Sequence, residues 1–261
     1  MLSLAQIQAQ YPAALRPFSR FILREYLQHK LLQLIYDSPL ANQFFFLGGT
    51  CLRIVHGNSR FSEDLDFDNT GVTAAEFGEL ASLVTRGLEL EGYEVEMKLV
   101  LKDAYHCHVR FPELLFKEGL SGYREEKILI QLDTEPQHFA FEPVPYLLNR
   151  FDIFTQLQTT PPDLLLAQKF YAILNRVRNK GRDFYDAVFL LGRQVRPNYA
   201  YLAQKRGIET PADLKAQLLA HCQTLDMQAM ADDVRPFLFN PREDRLVTMF
   251  PQYIRQAVLE T

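Results

Sequence analysis

Apolar residues recur at helical spacing between positions 17 and 37, through Phe18, Ile22, Leu23, Tyr26 and Leu27. That period predicts a long amphipathic helix. A short apolar run at 43–47 (QFFFL) is stopped by two glycines, as a buried strand entering a tight turn would be. A short helix is expected from Thr50 to His56, with Thr50 near its N-cap. Positions 63–68 (EDLDFD) alternate charged and apolar residues, the period of a strand. Residues 73–91 read as a helix opened by Thr73 and closed by Gly92. Strand-like runs come next at 93–101, 105–111, 127–133 and 151–157. Within the third of these, Ile128, Leu129 and Ile130 break the alternation and predict burial on both faces.

The texture changes near residue 155. Thr160 suits an N-cap, Pro161 a first helical position and Asp163 a capping acid. The rest of the chain is helical in pattern over 162–178, 183–194, 198–206, 210–223 and 245–259. The expectation is an α+β fold in two parts: residues 1–155 with a mixed sheet flanked by helices, and residues 156–261 forming a helical domain.

Composition narrows the function classes. The 261 residues are 48% hydrophobic and 23% charged, ordinary for a globular protein. Formal net charge is -4, so a global basic field is absent and nucleic-acid binding would need a local patch. Cys51, Cys107 and Cys222 are odd in number and widely spaced, with no CxxC, which fits a reducing compartment and argues against a disulfide frame or zinc site. No apolar run reaches the roughly 18 residues of a spanning helix. The N-terminal MLSLAQIQAQYP lacks the regions of a signal peptide. The cytoplasm is expected, with no membrane partner.

The chemistry gathers in one short segment. On a strand, positions i and i+2 share a face, so Asp64 and Asp66 project together while Leu65 and Phe67 turn to the buried side. Paired carboxylates repel unless a cation lies between them, and Mg²⁺ takes one or two carboxylates plus phosphate oxygens and water. An isolated DxD is common and usually a solvated strand edge. Here it comes after Gly48-Gly49-Thr50, at a strand-to-helix turn whose glycines let backbone approach a phosphate and whose N–H groups face it. Asp133 closes the apolar strand at 128–133. It is either a third carboxylate of the same site or a turn-forming Asp before Thr134.

The segment LGGTCLRIVHGNSRFSEDLDFD resembles the first motif of the AbiEii/AbiGii-type toxin nucleotidyltransferases, within the DNA polymerase β-like superfamily. Gly48, Gly49, Thr50, Leu52, Arg60, Ser62, Asp64, Leu65, Asp66 and Phe67 carry the match. The later LLLAQKFYAILNRVRNKGRDFYDAVFL resembles the family's second block through Lys169, Ala172, Arg176, Arg182, Asp183, Phe184, Tyr185 and Asp186. The resemblance covers residues 40–195 and implies a nucleotidyltransferase-like N-terminal domain. It implies transfer of a nucleotide from an NTP, with pyrophosphate release, to an acceptor such as tRNA or another RNA. It also implies two Mg²⁺ ions (or Mn²⁺), in-line attack at the α-phosphorus, and a cognate antitoxin protein. In that scheme Asp64, Asp66 and Asp133 are metal ligands, and Asp133 helps activate the acceptor oxygen. Gly48, Gly49, Thr50, Arg60 and Ser62 surround the triphosphate.

Lys169 sits on an apolar helix. Its residues alone allow a lysine snorkelling to solvent, whereas the resemblance implies a phosphate contact in a cleft between the domains. Arg176 falls two turns later on the same face. Arg176, Arg178, Lys180 and Arg182 form the densest basic cluster of the chain, either a solvated helix end or a phosphate contact. Asp183 and Asp186, one turn apart, are either an ion pair locking two helices or nucleotide-orienting acids, with Asp186 the catalytic candidate and Asp183 in nucleotide binding. His106 and His108 share a strand face, but no zinc-type spacing completes a site, so they read as ordinary strand residues. Two other functions compete with transfer to RNA: nucleotidyl transfer to a small aminoglycoside-like molecule, and a catalytically inactive protein-binding module.

Overall fold

The computed structural model describes residues 2–102 and 104–260. The chain divides into two compact units, one of Met1–Val55 with Phe61–Thr159, the other of His56–Arg60 with Thr160–Thr261.

The first unit carries, in chain order, α1 (Leu4–Ala9), α2 (Ser19–Tyr36), β1 (Phe44–Leu47), α3 (Gly48–Ile54), β2 (Leu65–Asn69), α4 (Ala74–Leu90), β3 (Glu96–Lys102), β4 (Ala104–Phe111), α5 (Leu114–Lys117), β5 (Ile128–Thr134), β6 (Val144–Arg150) and β7 (Ile153–Thr159). The strands form one mixed sheet in the order β3-β4-β5-β2-β1-β7-β6. The β2–β5 and β1–β7 pairs are parallel and the others antiparallel.

The sheet is two-faced. Phe44, Phe46, Leu65, Phe67, Cys107, Val109, Phe111, Ile128, Ile130, Leu132, Ile153 and Leu157 are buried on one face. Helices α2 and α4 lie against this side, with Tyr36 against Phe67 and Phe77 against Tyr105. The alternate residues of β4 and β5 (His106, His108, Arg110, Leu129, Gln131, Asp133) are half-buried or exposed. Leu129 is among the exposed apolar residues, so β5 buries one face and not the two expected. Along β4 and β5 the sheet is therefore covered by helices on one side and accessible on the other, whereas on β2 Asp68 of that second face is buried. Helix α4 opens with the expected cap: Thr73 and Glu76 form a reciprocal capping box.

The second unit is helical: α6 (Pro162–Asn175), α7 (Gly181–Gly192), α8 (Tyr199–Arg206), α9 (Pro211–Cys222), α10 (Met227–Val234), α11 (Arg245–Thr248) and α12 (Phe250–Gln256). Helix α6 begins one residue later than its cap signals suggest, with Pro161 at the N-cap and no side-chain cap. It ends at Asn175 and not at 178, because Arg176 turns extended (φ -66, ψ 133). The single helix expected over 245–259 is two short ones with Pro251 in the first turn of the second, as a proline without a donor N–H dictates. Residues 56–60 join this unit through an antiparallel bridge, Arg60 to Leu238, and a Phe239 N–H donated to the Ser59 carbonyl. Helices α7 and α10 approach closely at Gly181, where a Cβ would lie 1.8 Å from the Met230 carbonyl oxygen.

Candidate active site

Asp66 stands on the sheet face opposite the buried one, the face it shares with Asp133. Asp66 is the second residue of β2, and Asp64 immediately precedes the strand. Neighbours on adjacent strands share a face, and Asp66 is in register with Asp133 on the parallel strand β5. On the other side Asp66 is opposite Leu47, the last residue of β1. The chain turns there directly into α3, whose first residue, Gly48, has φ 78. A Cβ at Gly48 would lie 2.2 Å from Asp66 Oδ2. Only glycine permits this conformation at no steric cost and this approach of a carboxylate to the backbone.

Gly49 and Thr50 are buried in the first turn of α3. Thr50 is 0% exposed, and its hydroxyl donates to the Asp64 carbonyl. The side chain thus ties the helix start to the segment that presents Asp64. Ser62 is half-buried, and its carbonyl accepts from Gln28 Nε2 at 3.1 Å. Asp68, two residues beyond Asp66, accepts from the Gln137 N–H at 2.8 Å.

Asp133 has two partners that sequence reasoning missed. His106 Nδ1 lies 2.7 Å from Asp133 Oδ1, and Gln131 Nε2 donates to both carboxylate oxygens at 2.8 and 3.0 Å. His106 is opposite Asp133 across the β4–β5 pairing. The same-face spacing of His106 and His108 was visible in the sequence, but the register placing one of them against an acid was not.

Oxygen donors of this kind suit a small hard cation, and Asp64 and Asp66 supply two in one short segment. Among the described residues, no group of three His, Cys, Asp or Glu side chains stands close enough to hold a metal ion.

The second motif forms a buried charge cluster within the helical unit. Asp186, on α7, is 0% exposed. Arg60 donates to it through two nitrogens at 2.7 Å each, and Asn58 Nδ2 at 2.8 Å. Lys169 Nζ, on α6, is 2.9 Å from Asp186 and 3.0 Å from Asp183. Arg176 Nε, with half its side chain exposed, is 3.1 Å from the second oxygen of Asp183. Burial alone would push the Asp186 carboxyl up, but Arg60 and Lys169 outweigh it and hold it below the ordinary carboxylate value. Burial likewise opposes the charge of Lys169, and Asp186 with Asp183 holds its ammonium above the usual lysine value. Arg60, expected beside phosphate, is 1% exposed with its guanidinium engaged by Asp186. A buried pair with complementary hydrogen bonds is costly to break from one side, so these residues form one charge-balanced unit.

A sheet bearing registered carboxylates beside a glycine turn, followed by a helical unit with a buried Lys–Asp cluster, is the arrangement expected for a nucleotidyltransferase. The family model described as "Nucleotidyl transferase AbiEii toxin, Type IV TA system" matches residues 30–249. The chain belongs to this AbiEii nucleotidyltransferase toxin family. Among solved structures, JHP933 from Helicobacter pylori is similar in fold, with a TM-score of 0.53 and 17% identity over 91% of this chain and 92% of that one. A second H. pylori structure, of a protein described as a candidate nucleotidyltransferase, has the same TM-score of 0.53 and 17% identity, covering 91% of this chain and 95% of that one. No curated protein sequence matches the chain significantly. Among the described residues, no helix is long and apolar enough to cross a membrane.

Proposed function

We propose that the chain moves a nucleoside monophosphate from an NTP to an acceptor hydroxyl on RNA, with tRNA the foremost candidate, and releases pyrophosphate. In this reading it is the toxin of a toxin–antitoxin pair, acts in the cytoplasm and is restrained by a cognate antitoxin protein. The observation that carries the proposal is the row formed by Asp66 and Asp133 in register on parallel strands, with Asp64 two residues before Asp66 and Gly48 against the Asp66 carboxylate.

Each residue has a role in this reading. Asp64 and Asp66, with Asp133 beside them, would hold two Mg²⁺ ions or Mn²⁺ in their place. Such ions neutralise phosphate oxygens and stabilise charge that develops on the leaving group. Gly48 and Gly49 offer backbone N–H groups to phosphate, and Thr50 fixes the Asp64 segment through its hydroxyl. Asp133, held by His106 and Gln131, accepts the proton of the acceptor hydroxyl. Ser62 is the remaining triphosphate candidate in this unit. In the helical unit, Lys169 and Arg176 are the cations that face the acids of α7. Asp183 and Asp186 keep Lys169 charged and oriented, and Arg60 holds Asp186.

Incubation with each α-labelled NTP, Mg²⁺ and total RNA tests this. Label should appear in RNA with stoichiometric pyrophosphate. Label that appears only on a cationic small molecule, or pyrophosphate release from no NTP, would contradict the proposal.

A further inference from the structure

The open face of the sheet continues past the carboxylates onto a cationic margin. Register places Val100, His106, Asp133 and Asp66 in one row across β3, β4, β5 and β2. The adjoining row runs Lys98, His108 and Gln131, and the next Glu96, Arg110 and Leu129. Lys102, two residues beyond Val100, is on the same face of β3. Lys98 and Lys102 are exposed, and His108 and Arg110 are half-buried. Lys98, Lys102 and Arg110 form no ion pair among the described residues, and the acid opposite Arg110, Glu96, is taken by Lys127 at 2.7 Å. Two lysines, an arginine and a histidine thus stand on the strands next to Asp133, in a chain whose net charge is -4.

Accepting the acceptor as RNA, we infer that the β3–β4 margin binds the phosphodiester backbone of that RNA and leads its terminal hydroxyl to Asp133. Phosphate binding by Lys and Arg is the main source of affinity for nucleic acid and carries no base specificity. A local patch is what an acidic protein requires to bind RNA. The three strand spacings from β3 to β2 span roughly 14 Å, room for a short single-stranded end laid across the face. His106 marks the junction, since it belongs to the basic strand yet bonds the carboxylate. A sheet edge exposed to solvent also invites strand pairing, and cationic side chains discourage that; they would do so on any edge, however, whereas these cations line the face leading to the carboxylates.

The test uses the full chain and deacylated total tRNA. Binding is followed by fluorescence anisotropy across a salt series, and label transfer is measured as KM for tRNA and for NTP. The triple variant Lys98→Gln/Lys102→Gln/Arg110→Gln should lose at least tenfold in tRNA affinity. Its slope of log K against log salt should shrink by about 2, at roughly 0.7 per single-strand phosphate contact. KM should rise for tRNA and stay constant for NTP. Arg86→Gln, which removes an exposed charge from α4 on the covered side of the sheet, should change none of these. Unchanged tRNA affinity and slope in the triple variant, with wild-type protein labelling tRNA, overturns the margin alone. Wild-type protein that binds and labels neither tRNA nor any other species in total RNA overturns the RNA reading on which the inference rests.

Discussion

Replacing Gly48 with alanine isolates the contact on which the carboxylate row depends. The new methyl would sit 2.2 Å from Asp66 Oδ2, 2.8 Å from its Cγ and 2.9 Å from its Cβ. Ordinary contact begins near 3.4 Å, so the carboxylate must move by about 1 Å or the turn must open. The φ of 78 adds strain for any residue with a Cβ, on the order of 1–2 kcal/mol. Overpacking adds about 1–3 kcal/mol. The total, roughly 2–5 kcal/mol, is borne by a typical domain of about 5–15 kcal/mol stability, so the variant should fold with a lowered urea midpoint. Catalysis should suffer more, since a displacement of about 1 Å in a positioned group costs on the order of 10²-fold in rate. Gly71→Ala supplies the control. Its φ of 73 carries the same backbone strain, but nothing lies within 4 Å of the added Cβ. It should lose stability comparable to the strain alone and keep its rate of label transfer. Full transfer by Gly48→Ala would refute the reasoning.

Three further outcomes concern the helical unit. Arg60→Met leaves the buried Asp186 without its main partner and should cost about 3–5 kcal/mol in chemical denaturation; a loss under about 1 kcal/mol would show that Lys169 and Asn58 suffice. The cluster also predicts an acid limit. Because the folded Asp186 carboxyl is held below its ordinary 3.8, its contribution is complete above that pH and is lost as pH falls through the lower folded value. Thermal melts from pH 6 to 2 should show this loss in wild-type protein and less of it in Arg60→Met. Gly181→Ala drives a methyl into the Met230 carbonyl, at 1.8 Å from its oxygen, and should cost about 1–3 kcal/mol. Gly192→Ala, with nothing within 4 Å, should melt at or slightly above the wild-type temperature.

Long periodic elements were legible in the sequence. Helix α2 and the capped α4 fall within a few residues of their expected limits, as do strands β1, β4 and β5. Strand β6 was not, because VPYLLNR neither alternates nor lacks proline; it survives as an edge strand, where Pro145 costs little. An ion pair between two helices at Asp183 and Asp186 was one of the readings open in the sequence, but which residues would meet them was not legible. Nothing local indicates that Arg60 would meet Asp186, 126 positions away, or that the Thr50 hydroxyl would be spent on the Asp64 carbonyl. The same holds for His106 against Asp133, since strand register is set by the assembled sheet. The open face was hidden for a related reason. Three apolar residues at 128–130 suggest burial on both sides, yet Leu129 remains exposed.

The most direct test of the account is Asp66→Asn, which keeps size and packing and removes one negative charge from the carboxylate row. Label transfer from α-labelled NTP to RNA, measured with Mg²⁺ beside a urea melt, should fall to background while the unfolding midpoint stays near wild type. Transfer at the wild-type rate by a folded Asp66→Asn protein would contradict the assignment of the carboxylate row as the catalytic centre.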